Sequence, residues 1–141
     1  MIDPKDLTCI IVMENDSGIV NYAIQSIIKF TNPCPKILIC ENTGNVKSKA
    51  CELVPFKIKH KDLIIVKNPL GEKPFNTSER HGLGLNKLMR MVNTEYTAII
   101  ESDICLLSKN WIKLDTSKYD IKAAFRGKKR YRLLVCLFFI I

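Results

Sequence analysis

Apolar residues in this chain come in short dense runs separated by polar punctuation, and two periodicities alternate along it. Leu7 to Met13, L-T-C-I-I-V-M, is a continuous apolar run of strand length, rich in β-branched residues. That is the pattern of a strand buried on both faces in a parallel sheet. E-N-D-S-G follows and offers helix N-caps at Asn15, Asp16 and Ser17. Val20, Ala23, Ile24, Ile27 and Ile28 then recur at helical spacing as one apolar stripe. Asn32-Pro33 and Pro35 cannot continue a helix, so it should stop near Phe30.

The pattern then repeats. Residues 36–40, K-I-L-I-C, predict a second strand, and residues 62–67, D-L-I-I-V-K, a third, with a short helical piece at 46–53 between them. Thr77, Ser78 and Glu79 can start another helix, whose buried face is Leu85, Leu88, Met89 and Val92. Gly82 and Gly84 each cost that helix roughly 1 kcal/mol relative to Ala, or let its backbone approach a ligand or the sheet closely. Residues 96–100 are the fourth strand. Four apolar strands alternating with helices predict an α/β fold, a doubly wound and mostly parallel sheet with right-handed crossovers. No G-x-G-x-x-G follows the first strand, and neither G-x-x-x-x-G-K-[ST] nor G-x-S-x-G occurs. These absences disfavour a dinucleotide-binding domain, a P-loop NTPase and an α/β-hydrolase.

Composition adds limits. At 141 residues, 47% apolar and 26% charged, the chain has the make-up of one globular domain. The start M-I-D-P-K-D-L lacks the layout of a secretion signal. The longest apolar stretch, the terminal L-L-V-C-L-F-F-I-I, falls short of the ~20 residues of a membrane span. Six cysteines, with no C-x-x-C pair and four of them in apolar runs, read as reduced thiols of a cytoplasmic protein. The net charge of +8 is uneven: residues 1–103 carry 13 Lys and Arg against 12 Asp and Glu, residues 104–141 nine against two. The basic run 122–132 is either a solvated face or a surface for nucleic acid, anionic lipid at the cytoplasmic membrane face, or a phosphorylated donor.

The candidate chemistry lies at the end of the fourth strand, where T-A-I-I-E-S-D places Glu101 and Asp103 one residue apart. Period-2 geometry puts both carboxylates on one face of an extended strand. Ligands of open α/β sheets bind at the carboxyl ends of the strands, and two carboxylates there suit a hard divalent cation beside a phosphate. Glu41 also closes a predicted strand. Asn15 and Asn68 lie at strand ends within reach of the same edge. Arg80 and His81 lie early in the second helix, where a solvated first turn is one account of them; the family resemblance described below implies instead that they meet phosphate or sugar. Trp111 reads as part of the core, or, as the resemblance described below implies, as a stacking surface for a sugar.

Taken together, these residues resemble the nucleotide-sugar-binding half of a GT-A-fold glycosyltransferase of the large inverting family-two type. I-I-V-M-E-N (10–15), which contains Glu14 and Asn15, resembles the family's opening strand and first donor-site loop. A-I-Q-S-I (23–27) resembles its first helix, and I-L-I-C-E-N-T-G-N (37–45) its "v-v-D-n-g-S-x-D" segment. H-G-L-G-L-N-K-L-M-R-M-V-N-T-E-Y-T-A-I-I-E-S-D-I (81–104) is similar to its "g-x-a-x-N-x-g-i-x-x-a-x-g-e-y-x-x-x-l-D-x-D". The likeness covers about residues 7–112, leaving 113–141 as a basic and apolar segment.

The resemblance implies a UDP- or GDP-linked sugar donor, an acceptor the sequence does not name, and Mn²⁺ or Mg²⁺ on the donor diphosphate. Glu41 matches the acid that hydrogen-bonds the base, Asp103 the metal-holding acid of the Asp-X-Asp motif, Ser102 its middle residue. Glu101 matches its first acid, facing the ribose or the metal's water shell. This sequence departs from the pattern in having Glu101 and Glu41 for Asp, and Thr43 for Ser. The family's general base follows the Asp-X-Asp strand, where only Asp115 and Asp120 remain here, neither in a recognisable motif. The resemblance therefore implies a GT-A fold incomplete at its C-terminus. The ending R-Y-R-L-L-V-C-L-F-F-I-I reads as one more strand, a mispaired end or the start of a membrane segment. Left unpaired it would favour self-association into a homo-oligomer. The alternatives to an enzyme are a nucleotide-binding remnant without activity and a basic interaction module. The module lacks any nucleic-acid signature beyond charge.

Overall fold

Leu7 to Met13 forms β1, and all seven residues are buried. The computed structural model describes residues 2–13, 17–42, 62–67, 76–113, 121–122 and 138–140. A 3₁₀ turn, Pro4–Asp6, leads into β1, its N-terminus capped by Asp3 Oδ1 on the Lys5 N–H at 3.0 Å. The other described elements are α1 (Ser17–Phe30), β2 (Lys36–Glu41), β3 (Leu63–Lys67), α2 (Thr77–Met89), β4 (Tyr96–Ile99), a second 3₁₀ turn (Lys109–Ile112), β5 (Ile121–Lys122) and β6 (Phe138–Ile140). The predicted helix at 46–53 lies outside the described residues.

The strands form a six-stranded sheet in the order β3-β2-β1-β4-β6-β5. β2 and β4 flank β1 in parallel, and β3 extends the sheet beyond β2, also in parallel. β6 runs antiparallel to β4 and pairs with β5. The sheet is mostly parallel, as the apolar runs predict. Of the three readings of the chain's ending, residues 138–140 take the strand within this sheet. No helix among the described residues is long and apolar enough to cross a membrane.

Alternation along β1 and β2 distributes the core between two faces. Cys9, Ile11, Met13, Ile37 and Ile39 join Val20, Ala23, Ile24 and Ile27 of α1, so the predicted helical stripe is the stripe that packs. Ile10, Val12, Leu38 and Cys40 point the other way and meet Leu88 of α2, with Leu85 and Met89 partly buried beside it. Each fully buried aliphatic side chain contributes about 1.5–3 kcal/mol relative to exposure. A helix on either face explains why these strands lack polar alternation.

Two local features fix α2. Asn76, not Thr77 or Ser78, is its N-cap: Asn76 Oδ1 accepts the Glu79 N–H at 2.9 Å while Glu79 Oε2 accepts the Asn76 N–H at 3.0 Å. This is a capping box. Gly84 is where helix and sheet come closest, since a Cβ there would lie 2.9 Å from Val12 Cγ1 and 3.1 Å from Asn42 Oδ1. Close approach to the sheet is thus the role of Gly84. Gly82, where a Cβ would meet nothing within 4 Å, has no such need.

Candidate functional site

Strand order locates the crevice. The chain steps from β1 to β2 to β3 on one side and then places β4 on the other side of β1. The parallel sheet therefore has a topological switch point between β1 and β4, and ligands of open α/β sheets bind outside the carboxyl ends at such a point. The residues leaving β4 there are Ile100, Glu101, Ser102 and Asp103.

The extended geometry expected for the two acids ends sooner than the sequence suggests. β4 stops at Ile99, although the Ile100 N–H still donates to Ile10 O at 3.0 Å. The chain then turns: Ser102 and Asp103 are turn residues, and the Ile104 N–H closes back on Glu101 O at 3.1 Å. Glu101 and Asp103 are therefore not successive same-face residues of a strand. The turn leaves Glu101 half-buried and Asp103 exposed. Glu101 Oε1 lies 3.8 Å from His81 Nε2 on α2, a contact that joins the β4 end to the helix.

Glu41, the last residue of β2, is 2% exposed, and its Oε2 has no hydrogen-bond partner among the described residues. Burying an unpartnered carboxylate oxygen is costly, and such an oxygen is an acceptor held ready for an N–H of a ligand. Beside it Asn42 is fully buried, donating from Nδ2 to Arg80 O at 2.7 Å. No sequence period marks Asn42, which by pattern alone is one more turn residue after a strand. Arg80, half-buried in the first turn of α2, stands on the same edge. Glu14, Asn15 and Asn68 lie outside the described residues, as do Asp115, Asp120 and all of the basic run except Lys122.

Trp111 belongs elsewhere. Its indole N–H donates to Thr31 Oγ1 at 2.9 Å, and its ring packs on the α1-side core. Thr31 follows the C-terminus of α1, which lies toward the amino edge of the sheet, so Trp111 is a packing residue remote from the acids. That amino edge also carries a cavity of about 560 Å³, lined by residues including Lys5, Asn32, Cys34, Lys36, Asp62 and Thr94. Burial, and then the neighbouring Asp62 charge, push the Cys34 thiol up to about 11. Cys9, Cys34, Cys40 and Cys105 are free thiols, and burial raises the Cys9 pKa further still.

Among the described residues no three His, Cys, Asp or Glu side chains converge as a complete metal site. The donor chemistry at the β4 turn nevertheless fits an ion of the Mg²⁺ type, which is bound through one or two carboxylates and completes its shell with water and substrate phosphates.

The fold is of the GT-A type, a mostly parallel Rossmann-like sheet flanked by helices. Compared by sequence, the chain matches no protein-family model and no curated protein. Among solved structures it is similar to a mannosyltransferase of Pyrobaculum calidifontis in complex with GDP-Man and Mn²⁺, at 14% identity and a TM-score of 0.55, over 78% of this chain and 32% of that one. Mycobacterium tuberculosis glucosyl-3-phosphoglycerate synthase in complex with UDP aligns at 12% identity and a TM-score of 0.57, over 86% of this chain and 45% of that one. S. aureus TarS gives 14% and 0.53, over 76% and 30%. The chain thus spans about a third to a half of the length of these relatives in fold.

Proposed function

We propose that this chain forms the donor site of a glycosyltransferase that takes a sugar from a UDP- or GDP-linked donor with the help of Mn²⁺ or Mg²⁺. The observation that carries the reading is the gathering of Glu41, Glu101 and Asp103 on one edge of the sheet, around the switch point of the β3-β2-β1-β4 order. Structures of the same fold that contain GDP-Man with Mn²⁺, or UDP, support it.

Each residue has a distinct task. Glu41 accepts an N–H of the base at its buried Oε2, and Glu14, Asn15 and Asn68 are proposed as further donor-binding residues. Glu101, Ser102 and Asp103 form the turn below the diphosphate, where Glu101 and Asp103 hold the divalent ion. When bound, such an ion acts as a Lewis acid that stabilises charge on the departing diphosphate. Arg80 adds a fixed cation on the α2 side. The base that deprotonates the acceptor hydroxyl, and the acceptor itself, are not assigned to any residue of this chain.

Calorimetric titration of UDP and GDP, with and without Mn²⁺, on the wild type and on Asp103→Ala tests the reading. Metal-dependent binding that the substitution abolishes is the expected result. Absence of binding by the wild type to either nucleotide in the presence of Mn²⁺ would overturn it.

A further inference from the structure

Asn42 takes no part in the chemistry above, yet it is the side chain that joins the two walls of the site. It directly follows Glu41 and is fully buried. Its backbone N–H donates to Met13 O at 2.9 Å, which keeps the β2 end in register with β1. Its side-chain amide crosses to α2, where Nδ2 donates to Arg80 O at 2.7 Å. On the strand side, Oδ1 accepts from the Cys40 thiol at 3.8 Å.

The acceptor of that amide is informative. In an α-helix the Arg80 carbonyl already has the amide of Gly84 as its donor, and a carbonyl can take a second hydrogen bond on its other lone pair. The Asn42 bond therefore does not rescue an orphaned helix-end group; it fixes where the helix sits. Gly84 fits the same conclusion independently. A methyl group there would press on Asn42 Oδ1 at 3.1 Å and Nδ2 at 3.2 Å, and on Val12 Cγ1 at 2.9 Å. A short amide and a missing side chain hold the first two turns of α2 against the β1 and β2 ends. Those turns carry Arg80 and His81, and His81 reaches Glu101.

We infer that Asn42 is a positioning residue of the donor site: by tying the first turn of α2 to the end of β2, it sets the spacing between Glu41 and the Arg80–His81 turn. A nucleoside diphosphate must span that spacing, whereas a nucleoside alone need reach only the Glu41 side. The inference rests on the donor-site reading. It adds a specific consequence: loosening the clamp weakens diphosphate recognition selectively and leaves the base subsite intact.

The test compares uridine with UDP, and guanosine with GDP, each in Mn²⁺, by calorimetry or ligand-observed NMR. The proteins are the full wild-type chain, Asn42→Asp and Gly84→Ala. Asn42→Asp keeps the shape but turns an acceptor toward the Arg80 carbonyl; Gly84→Ala keeps the amide's chemistry but presses a methyl against it and against Val12, forcing helix and sheet apart. In both variants UDP or GDP affinity is expected to fall tenfold or more, with nucleoside affinity within about twofold of wild type. An unchanged ratio of the two affinities in folded variants, including an equal loss of both ligands, would overturn the inference. Should neither variant fold, the wild type still decides: the Asn42 side-chain amide resonance should shift with UDP or GDP and not with the nucleoside, and equal response to both overturns the inference. A wild type that binds no nucleotide at all would overturn the donor-site reading and this inference together. Nucleotide binding with an unchanged ratio would remove the inference alone.

Discussion

His81 Nε2 and Glu101 Oε1 stand 3.8 Å apart across the carboxyl edge of the sheet, joining the second turn of α2 to the turn that leaves β4. The pair is partly solvent-exposed, and contacts of this kind, even between full charges, contribute about 0–1 kcal/mol to stability. Its effect should therefore appear in binding. His81→Ala is expected to leave the unfolding midpoint nearly unchanged, by less than about 1 kcal/mol in denaturant titration. Glu101→Ala is expected to weaken Mn²⁺-dependent UDP or GDP binding at least tenfold in calorimetry, and wild-type affinity in that variant would refute the assignment.

Glu41 offers a test in which stability and binding separate. Its buried Oε2 lacks a hydrogen-bond partner among the described residues, so replacing the carboxylate by a neutral amide removes a buried group that is costly when charged. Glu41→Gln is expected to keep or raise the melting temperature while lowering nucleotide affinity. A variant that loses stability and retains binding would show that Glu41 is structural.

The two helical glycines should respond with opposite sign. Gly82 has open space where a Cβ would be placed, so Gly82→Ala is expected to stabilise by about 0.5–1 kcal/mol through helix propensity. Gly84→Ala drives a methyl to 2.9 Å from Val12 Cγ1 and is expected to destabilise. Denaturant midpoints of the two single variants decide the matter.

Removing the α2 cap should cost about 1 kcal/mol. Asn76→Ala loses both the Asn76 acceptor and the geometry of the reciprocal Glu79 bond. Thermal unfolding would reveal it, with recovery in Asn76→Asp or Asn76→Ser.

Cys34 supplies a pH signature. Its thiol is pushed up to about 11 from an ordinary 9.0 by burial first and the Asp62 charge second. At neutral pH it stays protonated, and alkylation by iodoacetamide should be slow. The folded state holds this proton more tightly than the unfolded chain. The corresponding stability is therefore present below about pH 9 and is lost as pH rises toward 11. Asp62→Asn should lower the thiol pKa and speed alkylation.

The fold is legible in the sequence because strands covered on both faces need no polar alternation, so β1 and β2 stand out as apolar runs; β3 is an apolar run as well, although its residues are only half-buried or exposed. The α1 stripe is equally plain, since Val20, Ala23, Ile24 and Ile27 follow one helical face into one cluster. The end of β4 is harder. An E-S-D sequence is compatible with both an extended strand and a turn, and the Ile104–Glu101 backbone bond that selects the turn is invisible as a pattern. The α2 cap is ambiguous because Asn76, Thr77 and Ser78 are all good capping residues, although the N-x-x-E spacing of residues 76–79 is an available signal. Asn42 has no signal in the hydrophobic pattern, because a single buried amide gains its structural meaning only from a helix some forty residues away. Trp111 is ambiguous for the same reason, its position depending on where α1 ends.

The position of β6 bears on when the site can form during synthesis. β4 is bounded on one side by β1 and on the other by residues 138–140. A chain emerging from the ribosome can pair β4 with β1 as soon as β4 appears, but it lacks the second neighbour until roughly forty more residues have followed. In that interval the strand that presents Glu101 and Asp103 is an exposed sheet edge, open to pairing with another nascent chain.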